Sequence, residues 1–448
     1  MAIKVGMVSL GCSKNQVDAE ILLALMVNNG YEICANAQEC DVVIINTCGF
    51  IEDAKKESIE TILEFAQLKE QGKVKVLVVT GCLAERYRDE LAMEIPEADV
   101  VLGIGKNTEI AKAVQKALDG QRVTAFGDKA DLPLNGDRVL STAGYSAYLK
   151  IAEGCDKHCT YCIIPYARGR VRSRKIAQVM DEVRALAAKG YKEVVLTGIH
   201  LSSYGVDFPE EERETLLSLI QSVHEVEGVE RIRLGSLEPR IITEEFARTI
   251  SSMPKMCPHF HLSLQSGCDT TLERMNRRYR STEYAEKCDL LRKYFKNPAL
   301  TTDVIVGFPM ETEEDFQASY DFVESIHFYE THIFKYSRRH GTKAAAMSGQ
   351  LTEAQKAVRS DKMLALNEEH AREYEESMIG SELKVLLEEE VEINGEQWYI
   401  GHSKEYIKTA VRKQDAYGVN DIITVKAERF LENHTLTGKV TVNGVNSN

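Results

Sequence analysis

Residues 150–170 read KIAEGCDKHCTYCIIPYARGR, an apolar run that leads into three cysteines at positions 155, 159 and 162. The spacing Cys155-x3-Cys159-x2-Cys162 puts three thiolates on one tight loop directly after a strand. Such a loop can hold three irons of a [4Fe–4S] cluster and leave the fourth without a protein ligand. An iron left open can take a substrate, as the open position of a catalytic metal does. The spacing alone also fits a structural zinc knuckle completed by His158 or by a distant cysteine. Placement favours the cluster. The loop follows the first of six strand-and-helix units, with strands expected at YLKIAEG, KEVVLTG, ERIRLGS, HFHLSLQ, LTTDVIVG and THIFKYS. A parallel barrel keeps its chemistry at the carboxyl ends of its strands.

Upstream, short Val/Ile runs (IKVGMVSL, CDVVIINT, VKVLVVT) alternate with helical periods from Ile3 to about Gly120, the pattern of a parallel sheet covered on both faces. The chain is therefore expected to be α/β. A doubly wound parallel-sheet domain is placed at 1–127, a linker rich in turn residues at 128–144, and a partial (β/α)6 barrel at 145–378. The runs LKVLLEEE, WYIGHS, YIKTAVR, DIITVKAERF and LTGKVTV after Ser381 predict a small antiparallel β-barrel at 381–446, a type that often docks oligonucleotides. In the first domain Cys12, Cys48 and Cys82 each follow a strand, in VSLGC, IINTC and VVTGC. Side chains just past the carboxyl ends of neighbouring parallel strands converge on one crevice, so these three are expected to hold a second metal group. A single cysteine there would be an inert core residue, but three equivalent placements favour convergence.

The chain has 448 residues with 44% hydrophobic and 28% charged side chains, which excludes global disorder and leaves room for about three domains. No run reaches the length of a membrane span, and the start lacks a secretory signal, so a cytoplasmic protein is expected. Eleven cysteines in that compartment point to metal or catalysis rather than to disulfides. A net charge of −14 argues against nucleic-acid binding through a global positive field. The last domain, with eight basic and eleven acidic side chains, adds no charge argument for RNA. Arg168, Arg170, Arg172 and Arg174 follow the cysteine loop with a period of two, which in an extended strand turns them to one face. That face could meet phosphates or a carboxylate, or could simply be solvated. Gly198 and Gly307 end strands where a ligand could approach closely or where a turn needs them. Gln265 and Asp303 are polar groups in otherwise apolar strands, read either as cofactor contacts or as satisfied core hydrogen bonds.

These motifs, with Tyr161 between the last two cysteines of the loop, resemble the radical S-adenosylmethionine (SAM) methylthiotransferase family along nearly the whole chain. GCSKNQVDAE, NTCGF, TGCLAERY, EGCDKHCTYCIIPYARG, LQSGCDTTLERMNRRY, DVIVGFPMETEEDF and YSRRHGTKAA have counterparts in order. The resemblance implies two [4Fe–4S] clusters, one on Cys12, Cys48 and Cys82 and one on Cys155, Cys159 and Cys162, with a terminal TRAM domain that recognises the substrate. It implies that one SAM supplies a methyl group to sulfur at the first cluster. Another, bound at the second, is cleaved to a 5′-deoxyadenosyl radical that removes hydrogen from a C–H bond, where the methylthio group enters. Tyr161 is expected near the SAM adenine. The barrel segments resemble the branch acting on N6-threonylcarbamoyladenosine beside the tRNA anticodon, whereas LGCSKNQVDAE and NTCGFIEDAKKES resemble the branch that methylthiolates an aspartate of a small-subunit ribosomal protein. Because substrate contacts belong in the barrel mouth and last domain, the tRNA branch, with the anticodon stem-loop as partner, is the expectation; the ribosomal protein is its rival. A reading from another class is a non-catalytic zinc or iron–sulfur RNA-binding protein. The expected enzyme is a monomer supplied with electrons by a flavodoxin- or ferredoxin-type donor and with sulfur by a donor the sequence leaves unnamed. Met310 stands where the family's GFPGE pattern has glycine, which leaves the conformation of that loop open.

Overall fold

A computed structural model describes residues 2–141 and 144–441. The expected domain limits that involve Met1, residues 142–143 of the linker and residues 442–446 lie outside the described residues. Six parallel strands form the first sheet: β1 (Lys4–Ser9), β2 (Glu32–Ile33), β3 (Val42–Thr47), β4 (Val76–Gly81), β5 (Val100–Leu102) and β6 (Val123–Ala125). Their spatial order is β2-β1-β3-β4-β5-β6. β3 and β4 are buried along their full length, because helices cover both faces and no position faces water. Helices α1 (Ser13–Asn28) and α4 (Ile110–Leu118) bury Leu22, Met26, Ile110 and Val114 against one face. On the other, α2 (Glu52–Glu70) and α3 (Cys82–Glu94) bury Ile62, Phe65, Leu83 and Leu91. Each such side chain contributes about 1.5–3 kcal/mol relative to exposure. The chain leaves β1 toward β2 on one side and returns to β3 on the other, so the crevice of the sheet opens where Cys12 and Cys48 follow those strands.

The central domain contains the six expected parallel strands and one more. After β7 (Ser146–Glu153) comes a two-residue strand, β8 (Arg172–Ser173), antiparallel to the end of β7, followed by β9 (Glu193–Gly198) and β10 (Arg231–Leu234). β11 (His259–His261), β12 (Ala299–Val306) and β13 (Glu330–Lys335) complete the wall. β7, β9 and β10 pair in parallel, as do β11, β12 and β13, and the two groups meet through bridges at Ile232–Met256 and Leu237–Leu262. The result is an open barrel in which consecutive parallel units are neighbours.

Five strands, β14 (Glu382–Ile393), β15 (Glu396–Ser403), β16 (Lys408–Arg412), β17 (Ile422–Glu432) and β18 (Thr435–Val440), close a small barrel in the order β14-β15-β16-β18-β17. Its seam between β16 and β18 is parallel; the other pairings are antiparallel as expected. This barrel packs on the amino ends of the central strands. The Arg231 guanidinium donates to the carbonyls of His402 (2.9 Å) and Lys384 (2.6 Å), and Arg233 donates to that of Lys404 (3.1 Å). It therefore lies at the end of the central barrel opposite the cysteine loop, which follows the carboxyl end of β7.

Met310 keeps a left-handed backbone, with φ +65°, and its N–H donates to the Gly349 carbonyl at 2.8 Å. The loop thus retains the conformation a glycine would favour, at the steric expense of about 1–2 kcal/mol that a Cβ carries there. Met310→Gly is expected to raise stability by up to ~1 kcal/mol, after glycine's larger chain entropy is subtracted. A denaturant midpoint below that of the parent would contradict this.

Candidate active site

Two strand–loop junctions depend on glycine. Gly11 has φ +91°, and a Cβ on it would sit 2.7 Å from Cys48 Sγ, so glycine is what lets the loops after β1 and β3 bring their cysteines together. Gly154 has φ +72°, and a Cβ there would lie 1.9 Å from the Arg170 carbonyl oxygen, where β8 crosses the end of β7. Cys82 opens α3 at the end of β4. With these turns in place, all six expected cysteines line one cavity of about 640 Å³ between the first domain and the mouth of the barrel. Cys34, Cys40, Cys257, Cys268 and Cys288 are not part of its lining.

The donor set suits clusters that supply positive charge. Burial pushes the Cys82 and Cys162 thiols up to about 12 and Cys155 up to about 11, and raises Cys48 as well. Thiols in such surroundings stay protonated at neutral pH unless a metal takes the proton's place, which bound iron does. Two guanidinium groups already face these sulfurs. Arg168 Nε lies 3.1 Å from Cys82 Sγ, and Arg277 donates from Nη1 to Cys159 Sγ at 3.4 Å. Lys14, Arg86, Lys157, Lys335 and Arg339 also line the cavity, against the single carboxylate of Asp303. A cationic wall of this kind favours anionic contents.

Tyr161 is buried, packs edge-on against Phe308 and donates its hydroxyl to Gln265 Oε1 at 3.0 Å. Gln265 reaches that position through a left-handed backbone, φ +74°, while its N–H and carbonyl join the β12 ladder at Asp303 and Ile305. Asp303 faces the cavity and meets His261 Nε2 at 3.1 Å. Burial works to raise its carboxyl, but that hydrogen bond and the nearby His261, His332 and Lys14 outweigh burial and hold it below the usual carboxylate range. Gly198 is not part of the cavity wall. A Cβ there would press on the Ala152 carbonyl oxygen at 3.1 Å and on Leu201 at 3.3 Å, so its role is close packing of β9 on β7.

The arginine run does not form the expected common face. Arg168 is buried, its guanidinium 2.5 Å from Asp18, 3.2 Å from Glu153 and 3.0 Å from Asn15 Oδ1, with Lys150 completing a neutral buried set of two carboxylates and two cations. Arg172 clamps the linker by donating to the carbonyls of Lys129, Ala130 and Leu132, and Arg174 pairs with Glu182 at 2.6 Å and donates to the Lys150 carbonyl. Only Arg170 of the four is exposed, paired with Asp156 at 3.0 Å. The short β8 and the turn at Gly169 break the period of two, so Arg168 and Arg172 are engaged at the domain junction and Arg174 inside the central domain.

Several contributors are not singled out as site residues from the sequence. Arg277 and Arg339 lie within LQSGCDTTLERMNRRY and YSRRHGTKAA, read there only as marks of the family; Arg339 donates to the Tyr161 carbonyl and covers the Phe50 ring of the first domain at 4.7 Å. His200 and Lys157 flank Glu238, which they help hold down to about 2 against its burial, together with Arg277.

Two family models match the chain: "Uncharacterized protein family UPF0004" over residues 4–103 and "Radical SAM superfamily" over residues 149–323. Among curated relatives, the ribosomal protein uS12 methylthiotransferase RimO of Clostridioides difficile is 38% identical over 96% of this chain and 94% of its own. That of Clostridium perfringens is 40% identical over 98% of each. The chain belongs to the radical SAM methylthiotransferase family. This methylthiotransferase is therefore a transferase that works with [4Fe–4S] clusters and SAM. The solved radical SAM methyltransferase TsrM of Kitasatospora setae aligns at 15% identity over 77% of each chain with a TM-score of 0.58. The cobalamin-dependent radical enzyme OxsB aligns at 13% over 83% of this chain and 56% of its own, with a TM-score of 0.51. These two likenesses are of fold. The relatives do not support the tRNA branch toward which the methylthiotransferase's barrel segments lean. Among the described residues, no helix is long and apolar enough to cross a membrane.

Proposed function

We propose that this radical SAM enzyme methylthiolates ribosomal protein uS12, at an aspartate side chain. The observation that carries the reading is similarity to uS12 methylthiotransferases at 38–40% identity over 96–98% of the chain, the terminal barrel included. Two features support it. The arginines that would have met tRNA phosphates are largely engaged inside the protein, and the cavity presents several cations to a single carboxylate, which suits an acidic target side chain.

In this reading Cys12, Cys48 and Cys82 hold one cluster, and Cys155, Cys159 and Cys162 the other. When bound, the clusters and SAM supply the carbon radical and the sulfur and methyl group that replace hydrogen. The protein's own contribution is positional. Arg168 and Arg277 place positive charge beside the ligating sulfurs, Tyr161 and Gln265 fix one wall, and Arg339 over the Phe50 ring ties the first domain to the barrel. The test is mass spectrometry of uS12 and of tRNA nucleosides from a deletion strain with and without this gene. The proposal expects the methylthio mark on uS12 to vanish and return with the gene. A mark restored only on the tRNA nucleoside would overturn it.

A further inference from the structure

Below the cysteines, the barrel lumen holds two histidines and a carboxylate that the reading above does not use as ligands. His261 pairs in register with Thr301, and Asp303 with His332, across β11, β12 and β13. Side chains two apart on a strand share a face, so Asp303 stands on the same face as Thr301, and His332 on the same face as Phe334, which lines the cavity. The three groups thus project from adjacent strands into one space. One ligand atom from each of His261, Asp303 and His332 lies within 4.8 Å of the others. The imidazole rings of His261 and His332 lie nearly parallel, with centroids 5.5 Å apart. At the amino ends of the strands, the ring of Tyr406 in the terminal barrel packs 5.1 Å from that of His259.

The outer partners are those a metal site needs. A ligating histidine is aimed by what its second ring nitrogen bonds, often a carboxylate or another oxygen. His261 turns Nε2 to Asp303 while Nδ1 meets Thr301 Oγ1 at 3.0 Å. His332 has Nδ1 3.7 Å from a Glu330 carboxylate oxygen. Two imidazole nitrogens and one carboxylate oxygen suit a divalent first-row transition ion and leave its remaining positions open. Strands hold these ligands more rigidly than loops would.

We propose that His261, Asp303 and His332 form a binding site for a divalent transition-metal ion, separate from the cysteine triplets and adjoining their cavity through Asp303. The site does not depend on which substrate the enzyme takes.

The test uses the full-length enzyme with its clusters reconstituted under anaerobic conditions, zinc as the probe, and gel filtration to remove unbound ion. Elemental analysis is expected to find one zinc per chain above background with iron unchanged, and zinc-edge absorption to show nitrogen and oxygen neighbours without sulfur. His332→Gln, at a half-exposed position where folding is not at risk, and Asp303→Asn should each weaken zinc binding at least tenfold while leaving iron content as in the parent. Thr301→Val, which removes only the outer hydrogen bond, should weaken it about tenfold. Absence of the extra zinc, its persistence in both ligand variants, or sulfur in its coordination shell would each overturn the site.

Discussion

Replacing Cys48 by alanine is expected to halve the iron content of the anaerobically reconstituted enzyme, leave reductive cleavage of SAM measurable, and stop methylthiolation. Cys48 lines the shared cavity from the first domain, whereas Cys155, Cys159 and Cys162 line it from the barrel, so the two triplets can be emptied independently. Removing one of three thiolates leaves a cluster without its tripod, beside a Cys82 thiol that burial holds well above its ordinary value. Cys159→Ala is expected to do the reverse: half the iron again, but no SAM cleavage, so nothing downstream proceeds. The pair of variants separates the triplets by iron analysis and by 5′-deoxyadenosine release. Normal sulfur insertion by the Cys48 variant, or SAM cleavage by the Cys159 variant, would dismantle the division of labour.

Arg168→Met is expected to destabilise the chain by about 3–5 kcal/mol, because it takes one cation from a buried set and leaves Asp18 and Glu153 with Lys150 alone. Buried ion pairs add little net stability when complete, since desolvation offsets attraction, but an uncompensated buried charge is expensive. Arg168 also crosses from the barrel to α1 and to Cys82, so the same change weakens the junction between domains. Arg170→Ala, two residues away, should leave the urea midpoint unchanged, because its partner Asp156 and its own side chain sit in water. Equal midpoints for the two variants would show that the buried set does not hold the junction.

Much of this architecture was legible in the residues. VVIINT and VLVVTG read as buried parallel strands because their apolar runs are continuous up to polar ends at Asn46, Thr47 and Thr80, and the structure covers both faces of each. The cysteines were legible because strand ends in a parallel sheet converge wherever the sheet occurs. The arginine run was not, because the partners of Arg168 and Arg172 lie far along the chain: Asp18 is 150 residues from Arg168, and the Leu132 carbonyl 40 from Arg172. A period of two describes a side chain's direction, not what waits there, and a two-residue strand after a glycine turn is too short to keep even the direction. The lean toward tRNA placed substrate contacts in the barrel mouth and the terminal domain, but the whole-chain relatives are uS12 methylthiotransferases, and the terminal barrel sits at the amino ends of the central strands, away from the cysteines. The carboxyl-terminal parallel seam was also hidden, because a strand's own residues do not reveal the direction of its neighbour.

The guanidinium beside Cys82 has a consequence for how the protein is made. The ribosome completes the first sheet at Ala125, with its three cysteines already in hand, but the cation that faces one of them is still 43 residues from being synthesised. A nascent first domain therefore exposes an unfinished nest.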